Sequence, residues 1–196
     1  MEKVTLPNMA KGPWVIERFT IDRLDFHAVI HGRLAPPVGQ SFTRLLKNGR
    51  LIMSDTPAEM RDHRLAVSRA AGHCLLNGLG LGMVLKNMLL KPEVTDITVV
   101  EIDQDLIDLV APHYPDPRVT IVCADALIYK PPKGQRYGCV WNDIWGDFCA
   151  DNLKDMMVLH RRYGRISDWQ GSWGRSECEH QKRQNRRSEF RSSMFL

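Results

Sequence analysis

The chain has 196 residues, 43% of them hydrophobic and 26% charged, with 14 Gly and 11 Pro; this suits one well-filled core and excludes collagen-like, low-complexity and largely disordered chains. The formal charge of +4 is uneven: from Arg161 onward nine Lys/Arg face four Asp/Glu, so this last segment carries about +5 and everything before it about −1. No apolar stretch approaches the roughly 18 residues of a membrane-spanning helix, the first residues lack the pattern of an export signal, and five cysteines without CxxC spacing predict reduced thiols in a cytoplasmic protein with no metal site.

Taken in order, residues 1–55 predict a small antiparallel β annex. Its strands are Trp14 to Phe19, Asp25 to Ile30 and Arg50 to Met53, separated by Pro36-Pro37, Gly39 and the hairpin signal Asn48-Gly49. Thr56-Pro57-Ala58-Glu59 has the form of a capping box with Pro at the first helical position, and the helix it starts can end at Gly72. Strands then alternate with helices. Cys74 to Asn77, Asp96 to Ile102, Arg118 to Cys123 and Tyr137 to Asn142 read as buried strands; Met83 to Leu90, Gln104 to Val110 and Asn152 to Tyr163 read as helices, the last capped by Asp151. This order predicts an α/β fold, a doubly wound and mostly parallel sheet with right-handed crossovers spanning residues 56–163. Residues 164–196 form a Trp/Arg-rich extension with no convincing strand, in which Trp169 and Trp173 are spaced as on a helix.

The segment Leu76-Asn77-Gly78-Leu79-Gly80-Leu81-Gly82 joins the first core strand to its helix, where glycines permit positive φ and let backbone N–H groups approach a polar ligand. Later strands each end on a carboxylate: Glu101 in Val99-Val100-Glu101-Ile102-Asp103, Asp125 in Cys123-Ala124-Asp125-Ala126, and Asp143 in Trp141-Asn142-Asp143-Ile144-Trp145. In open α/β sheets ligands bind at these carboxyl ends, and a carboxylate after the second strand can accept two hydrogen bonds from a ribose diol. A dinucleotide fingerprint would need a small residue at Met83; here the third glycine is Gly82.

These segments resemble class I S-adenosylmethionine-dependent methyltransferases, and Val99 to Asp103 with Asp116-Pro117-Arg118-Val119 is closest in style to the spermidine synthase-like aminopropyltransferases. The resemblance implies a Rossmann-like methyltransferase core, shortened from seven strands to four or five, with S-adenosylmethionine as cofactor. Gly78, Gly80 and Gly82 would face its methionine part, Glu101 with Ile102 beside it would hold the ribose, and Asp125 and Ala126 would read the adenine. Asp143 would be catalytic, receiving or orienting the acceptor's proton, with Trp145 or Trp141 walling the site. Acceptor contacts would fall to Trp145, Asp55 and His63, with Glu59 and Asp62 on the same helix. Leu79 and Leu81 stand where aminopropyltransferases keep glycine and aspartate, so methyl transfer to a small-molecule or other unknown acceptor is the favoured reading. Aminopropyl transfer and a non-catalytic adenosyl binder or assembly module are the alternatives.

Other features carry less. His27 and His31 lie on a segment that reads as a strand, where their spacing does not suit a metal. Lys182-Arg183-Gln184-Asn185-Arg186-Arg187 reads first as a solvated tail and second as a contact for nucleic-acid phosphates. An open sheet edge would be covered by Ile166 to Trp173, with Phe190, Met194, Phe195 and Leu196 packing on it or on a second copy, which predicts a homo-oligomer.

Overall fold

The computed structural model describes residues 1–23 and 36–193. The expected strand Asp25 to Ile30, with His27 and His31, lies outside these residues, as do Met194, Phe195 and Leu196.

The annex is a four-stranded antiparallel sheet, β1 (Met9–Lys11), β2 (Trp14–Thr20), β3 (Ser41–Lys47) and β4 (Arg50–Ser54), in sequential order. Asn48 and Gly49 both have positive φ, 51° and 76°, which is the turn geometry whose twist matches that of paired strands, and Lys47 faces Arg50 across it. Sequence reading found the turn and β4 but not β3, whose Arg44, Lys47 and Thr43 interrupt the apolar alternation; Arg44 is instead neutralised by Glu17 on β2.

Helix α1 (Pro57–Arg69) follows. The expected capping box is not formed. Thr56 makes no side-chain cap, and its hydroxyl pairs with that of Ser54 (3.0 Å), leaving Pro57 to start the helix through its fixed φ. The core then runs β5 (Gly72–Asn77), α2 (Met83–Leu89), β6 (Val94–Glu101), α3 (Gln104–Val110), a 3-10 turn (Ala111–His113), β7 (Val119–Cys123), β8 (Tyr137–Asn142), α4 (Asn152–Tyr163), β9 (Ser167–Ser172) and α5 (Arg175–Ser193). Asp103 caps α3 by accepting the Asp105 N–H (3.2 Å), whereas Asp151 has helical φ and ψ and caps nothing.

The second sheet has the order β7-β6-β5-β8-β9, and all four pairings are parallel. Its central strands β5, β6 and β8 are buried on both faces and therefore read as largely apolar runs. On one face Cys74, Leu76, Ile97, Val99, Cys139 and Trp141 pack against α1, α2, α3 and the annex residues Trp14, Ile16 and Leu45. On the other, Leu75, Val100 and Val140 meet Leu159 and Tyr163 of α4.

β9 corrects the expectation that no strand follows Gly164. Ser167-Asp168-Trp169-Gln170-Gly171-Ser172 is too polar to read as a strand, but it needs to bury only one edge: Trp169 stacks on Trp141 of β8 at 6.2 Å and 13°, and the Asn142 amide donates to the Gly171 carbonyl (3.0 Å). Trp169 is thus a strand residue, and Trp173 follows the strand with its N–H on the Asn142 carbonyl (2.9 Å). Among the described residues no helix is long and apolar enough to cross a membrane.

Candidate active site

The parallel register brings the carboxyl ends of four strands level. The Gly78 N–H reaches the Val100 carbonyl (2.8 Å), the Asp143 N–H reaches the Asn77 carbonyl (2.8 Å), and the Ala124 N–H reaches the Glu101 carbonyl (2.9 Å). Above them opens a cleft of about 490 Å³, within the size range of small-ligand sites, walled on one side by the annex residues Trp14, Leu45, Ile52 and Met53. Gly78, Gly80, Glu101, Ile102, Asp125, Ala126, Asp143 and Trp145 all line it. The indole N–H of Trp145 is buried without a partner.

The glycine loop is tightly built. Gly78 has φ of 104°, and a Cβ there would collide with the Asp143 carbonyl, so only glycine lets β5 and β8 come this close. A Cβ at Gly80 would strike Met53, whose thioether also accepts the Leu81 N–H (3.2 Å); the annex thus reaches onto the loop. Gly82 starts α2 and sits under the Tyr114 ring, outside the cleft lining, while the Tyr114 hydroxyl donates to the Leu81 carbonyl (2.7 Å).

Glu101 is 8% exposed and braces this loop: its two oxygens accept the N–H groups of Leu79 (2.9 Å) and Asp103 (3.0 Å). Asp125 accepts the Leu127 N–H (2.7 Å), and the turn it shapes is held from behind by Arg162 of α4, which donates to the carbonyls of Ala126 (2.7 Å), Tyr129 (2.9 Å) and Leu127. Glu59, named with the helix residues near the acceptor, lines the cleft; sequence reading missed Arg162 and Asp155, which lie on α4 rather than at a strand end, and Met53, which lies in the annex.

Electrostatically the cleft is acidic. Six carboxylates line it (Glu59, Glu101, Asp103, Asp125, Asp143 and Asp155) against one lysine, Lys47, which already pairs with Asp103 (3.1 Å). Burial, then the neighbouring charges of Glu101 and Asp62, raises the Asp143 carboxyl to about 7. Burial and the charges of Asp143 and Asp62 raise Glu59 to about 8. His63 is fully buried, with neither ring nitrogen hydrogen-bonded; its Nε2 lies 3.7 Å from Asp143, and its ring meets the Trp141 ring edge-on. Burial pushes His63 down to about 4, so it faces Asp143 as a neutral imidazole and the contact is not an ion pair.

Two expected acceptor contacts are placed differently from the cleft residues. Asp55 is 1% exposed and does not line the cleft; its oxygens accept the N–H groups of Thr43 (2.6 Å) and Val4 (3.2 Å), tying the first residues to the annex. His63 stands behind Asp143. Trp141 is likewise core, stacked on Trp169, so of the two indoles expected to wall the site Trp145 is the one in the cleft.

The sequence matches no family model and no curated protein. Among solved structures, the spermidine synthase of Thermotoga maritima is 16% identical, with 81% of this chain and 52% of that one covered and a TM-score of 0.48. The N-methyltransferase NodS of Bradyrhizobium japonicum WM9 is 13% identical over 55% of this chain and 59% of its own (TM-score 0.43), and the CcbJ methyltransferase of Streptomyces caelestis 22% identical over 57% and 45% (TM-score 0.44). The chain therefore spans about half the length of these proteins. The fold is a Rossmann-like parallel sheet of five strands among the described residues, with flanking helices and a separate antiparallel sheet before it.

The donor set suits an adenosyl ligand. Carboxylates after β6, β7 and β8 can accept from ribose hydroxyls, an exocyclic amine and a cationic centre, and Val100, Ile102, Ala126 and Leu127 offer apolar surface to a flat base.

Proposed function

We propose that the chain is an S-adenosylmethionine-dependent methyltransferase acting on a small acceptor. The observation that carries this reading is the convergence of Gly78, Glu101, Asp125 and Asp143 on one cleft from four adjacent strand ends. Glu101 would hold the ribose hydroxyls with the lone pairs its two backbone contacts leave free. Asp125 and the Ala126 backbone would bind the adenine beside Ile102, and Gly78 and Gly80 would border the methionine part. When bound, the cofactor supplies a methyl carbon made electrophilic by its sulfonium.

The chain's own work is alignment and proton handling. Asp143, raised toward neutrality by burial, is a better proton acceptor than a surface aspartate and would take or orient the acceptor's proton at a carboxylate oxygen. Neutral His63 behind it lets Asp143 keep that basicity, because no adjacent cation stabilises its charge. Trp145 and Trp173 would exclude water from the same space.

A second reading, aminopropyl transfer from the decarboxylated cofactor, is favoured by one observation: among the described residues the lining offers no unpaired cation for an α-carboxylate. Calorimetry with S-adenosylmethionine, S-adenosylhomocysteine and decarboxylated S-adenosylmethionine separates the two. Methyl transfer expects the first two to bind. Binding of the decarboxylated form alone moves the assignment to aminopropyl transfer, and binding of none of the three removes both.

A further inference from the structure

The proposed reaction makes no use of α5. This helix of 19 residues touches the body mainly through its first turns: Cys178 is buried against Leu153 and Met156 of α4, Gln181 accepts the Ala150 N–H (2.7 Å), and Arg175 bridges Glu179 (2.9 Å) and His160 (2.9 Å). From His180 to Ser188 every residue is exposed. Such a helix, about 28 Å long at 1.5 Å per residue, buries too little to account for its own presence.

Its charge has a definite pattern. Lys182, Arg183, Arg186 and Arg187 stand at i, i+1, i+4 and i+5, which at 3.6 residues per turn places them within an arc of about 140° on one side. Among the described residues no carboxylate pairs with any of the four, whereas Arg175, on the same helix, is paired. Among the described residues the stripe is thus unneutralised positive charge held in a regular array.

We propose that this face of α5 docks on the phosphodiester backbone of a duplex nucleic acid. Charge complementarity selects a polyanion, and the composition selects which kind. Between Glu179 and Ser188 there is no apolar residue, and Phe190 is the one aromatic beyond it in α5, so the cationic stretch has no apolar face to lay into a bilayer. The same ten residues hold no Phe, Tyr or Trp, so they offer unstacked bases no platform, and a single strand loses its main source of affinity. What remains is a broad cationic face suited to phosphates on a rigid duplex, read without regard to sequence.

The test is fluorescence anisotropy of the whole chain with labelled RNA and DNA duplexes of about 16 base pairs. Four neutralised phosphates make affinity fall by roughly a hundredfold between about 50 and 200 mM salt. The variant Lys182→Ser/Arg183→Ser/Arg186→Ser/Arg187→Ser should keep the parent's melting curve while losing both the low-salt affinity and the salt dependence. The proposal is overturned if parent and variant bind alike, if the parent's binding ignores salt, or if the parent sediments with phosphatidylserine vesicles but leaves duplexes free. No adenosyl ligand enters the measurement, so its outcome is independent of the reaction proposed for the cleft.

Discussion

Glu101 illustrates how one side chain serves two ends that substitution can separate. Glu101→Ala removes the acceptor for two largely buried N–H groups, each costing about 1–3 kcal/mol when left unpaired, and also removes the ribose contact. Glu101→Gln keeps one carbonyl oxygen for the loop, so it should melt closer to the parent while binding adenosyl ligands about tenfold to a few hundredfold more weakly. If calorimetry shows Glu101→Gln binding as the parent does, the ribose role is lost and only the bracing role stands. Asp143 offers a test by pH. Its ordinary value is 3.8 and its folded value about 7, so between them the folded state holds the extra proton and this group's contribution to stability falls as pH rises. Asp143→Asn removes that dependence and also relieves Glu59 of a neighbouring charge. The variant should therefore gain on the parent between about pH 5 and pH 8, by on the order of 2–3 kcal/mol, while retaining ligand binding and losing turnover. His63, depressed to about 4, works in the opposite sense, its contribution lost as pH falls below 6.5, but it is present in both proteins and largely cancels in the difference. A stability difference flat with pH would mean that the carboxyl is not raised.

Elements that carry the cleft were legible in the sequence in proportion to how much apolar surface they bury. Strands β5, β6 and β8 are covered on both faces, and their Val/Ile/Leu-rich runs mark them without help from neighbours. The loop glycines and the three strand-end carboxylates were legible for a related reason: a parallel sheet fixes where its strands end, so spacing alone brings them together. Strand β9 was not legible, because an edge strand beside an aromatic neighbour can be polar and still pair. Nor was Thr56, whose hydroxyl had a competing partner two residues back, or Arg162, whose value depends on which carbonyls α4 passes over. Arg162 also makes a prediction at this scale. With three carbonyls of the β7–β8 connection released, Arg162→Met should loosen the Asp125 turn and weaken adenosyl binding by about tenfold, and Arg162→Lys should recover part of it through a single point charge. Hydrogen exchange should rise at Leu127 to Tyr129 in the methionine variant; unchanged exchange there would show that the turn holds itself.

For the molecule as a whole, the segment after Gly164 contains two parts with opposite physical roles, and two truncations distinguish them. Ending the chain after Gly174 removes α5 alone. The losses are the Cys178 contact, one hydrogen bond from the Ala150 N–H to Gln181 and the Arg175 bridge, so the melting temperature should drop by less than about 8 °C, at 2–4 °C per kcal/mol for a protein of this size. Ending it after Gly164 removes β9 as well. Strand β8 then loses its ladder from Tyr137 to Asn142, Trp141 loses the stacked Trp169, and the buried Asn142 amide loses both the Gly171 carbonyl and the Ser172 hydroxyl. β8 also ends on Asp143, so the cleft would be built on an exposed edge with unpaired N–H and C=O groups, the arrangement that recruits other chains. The shorter protein should therefore aggregate or melt without cooperativity, whereas the one ending at Gly174 stays monodisperse and binds adenosyl ligands as the parent does. Sedimentation and calorimetric melting of both decide the matter. If the protein ending at Gly164 melts as sharply as the parent and at the same temperature, β9 contributes nothing to the sheet that holds the site.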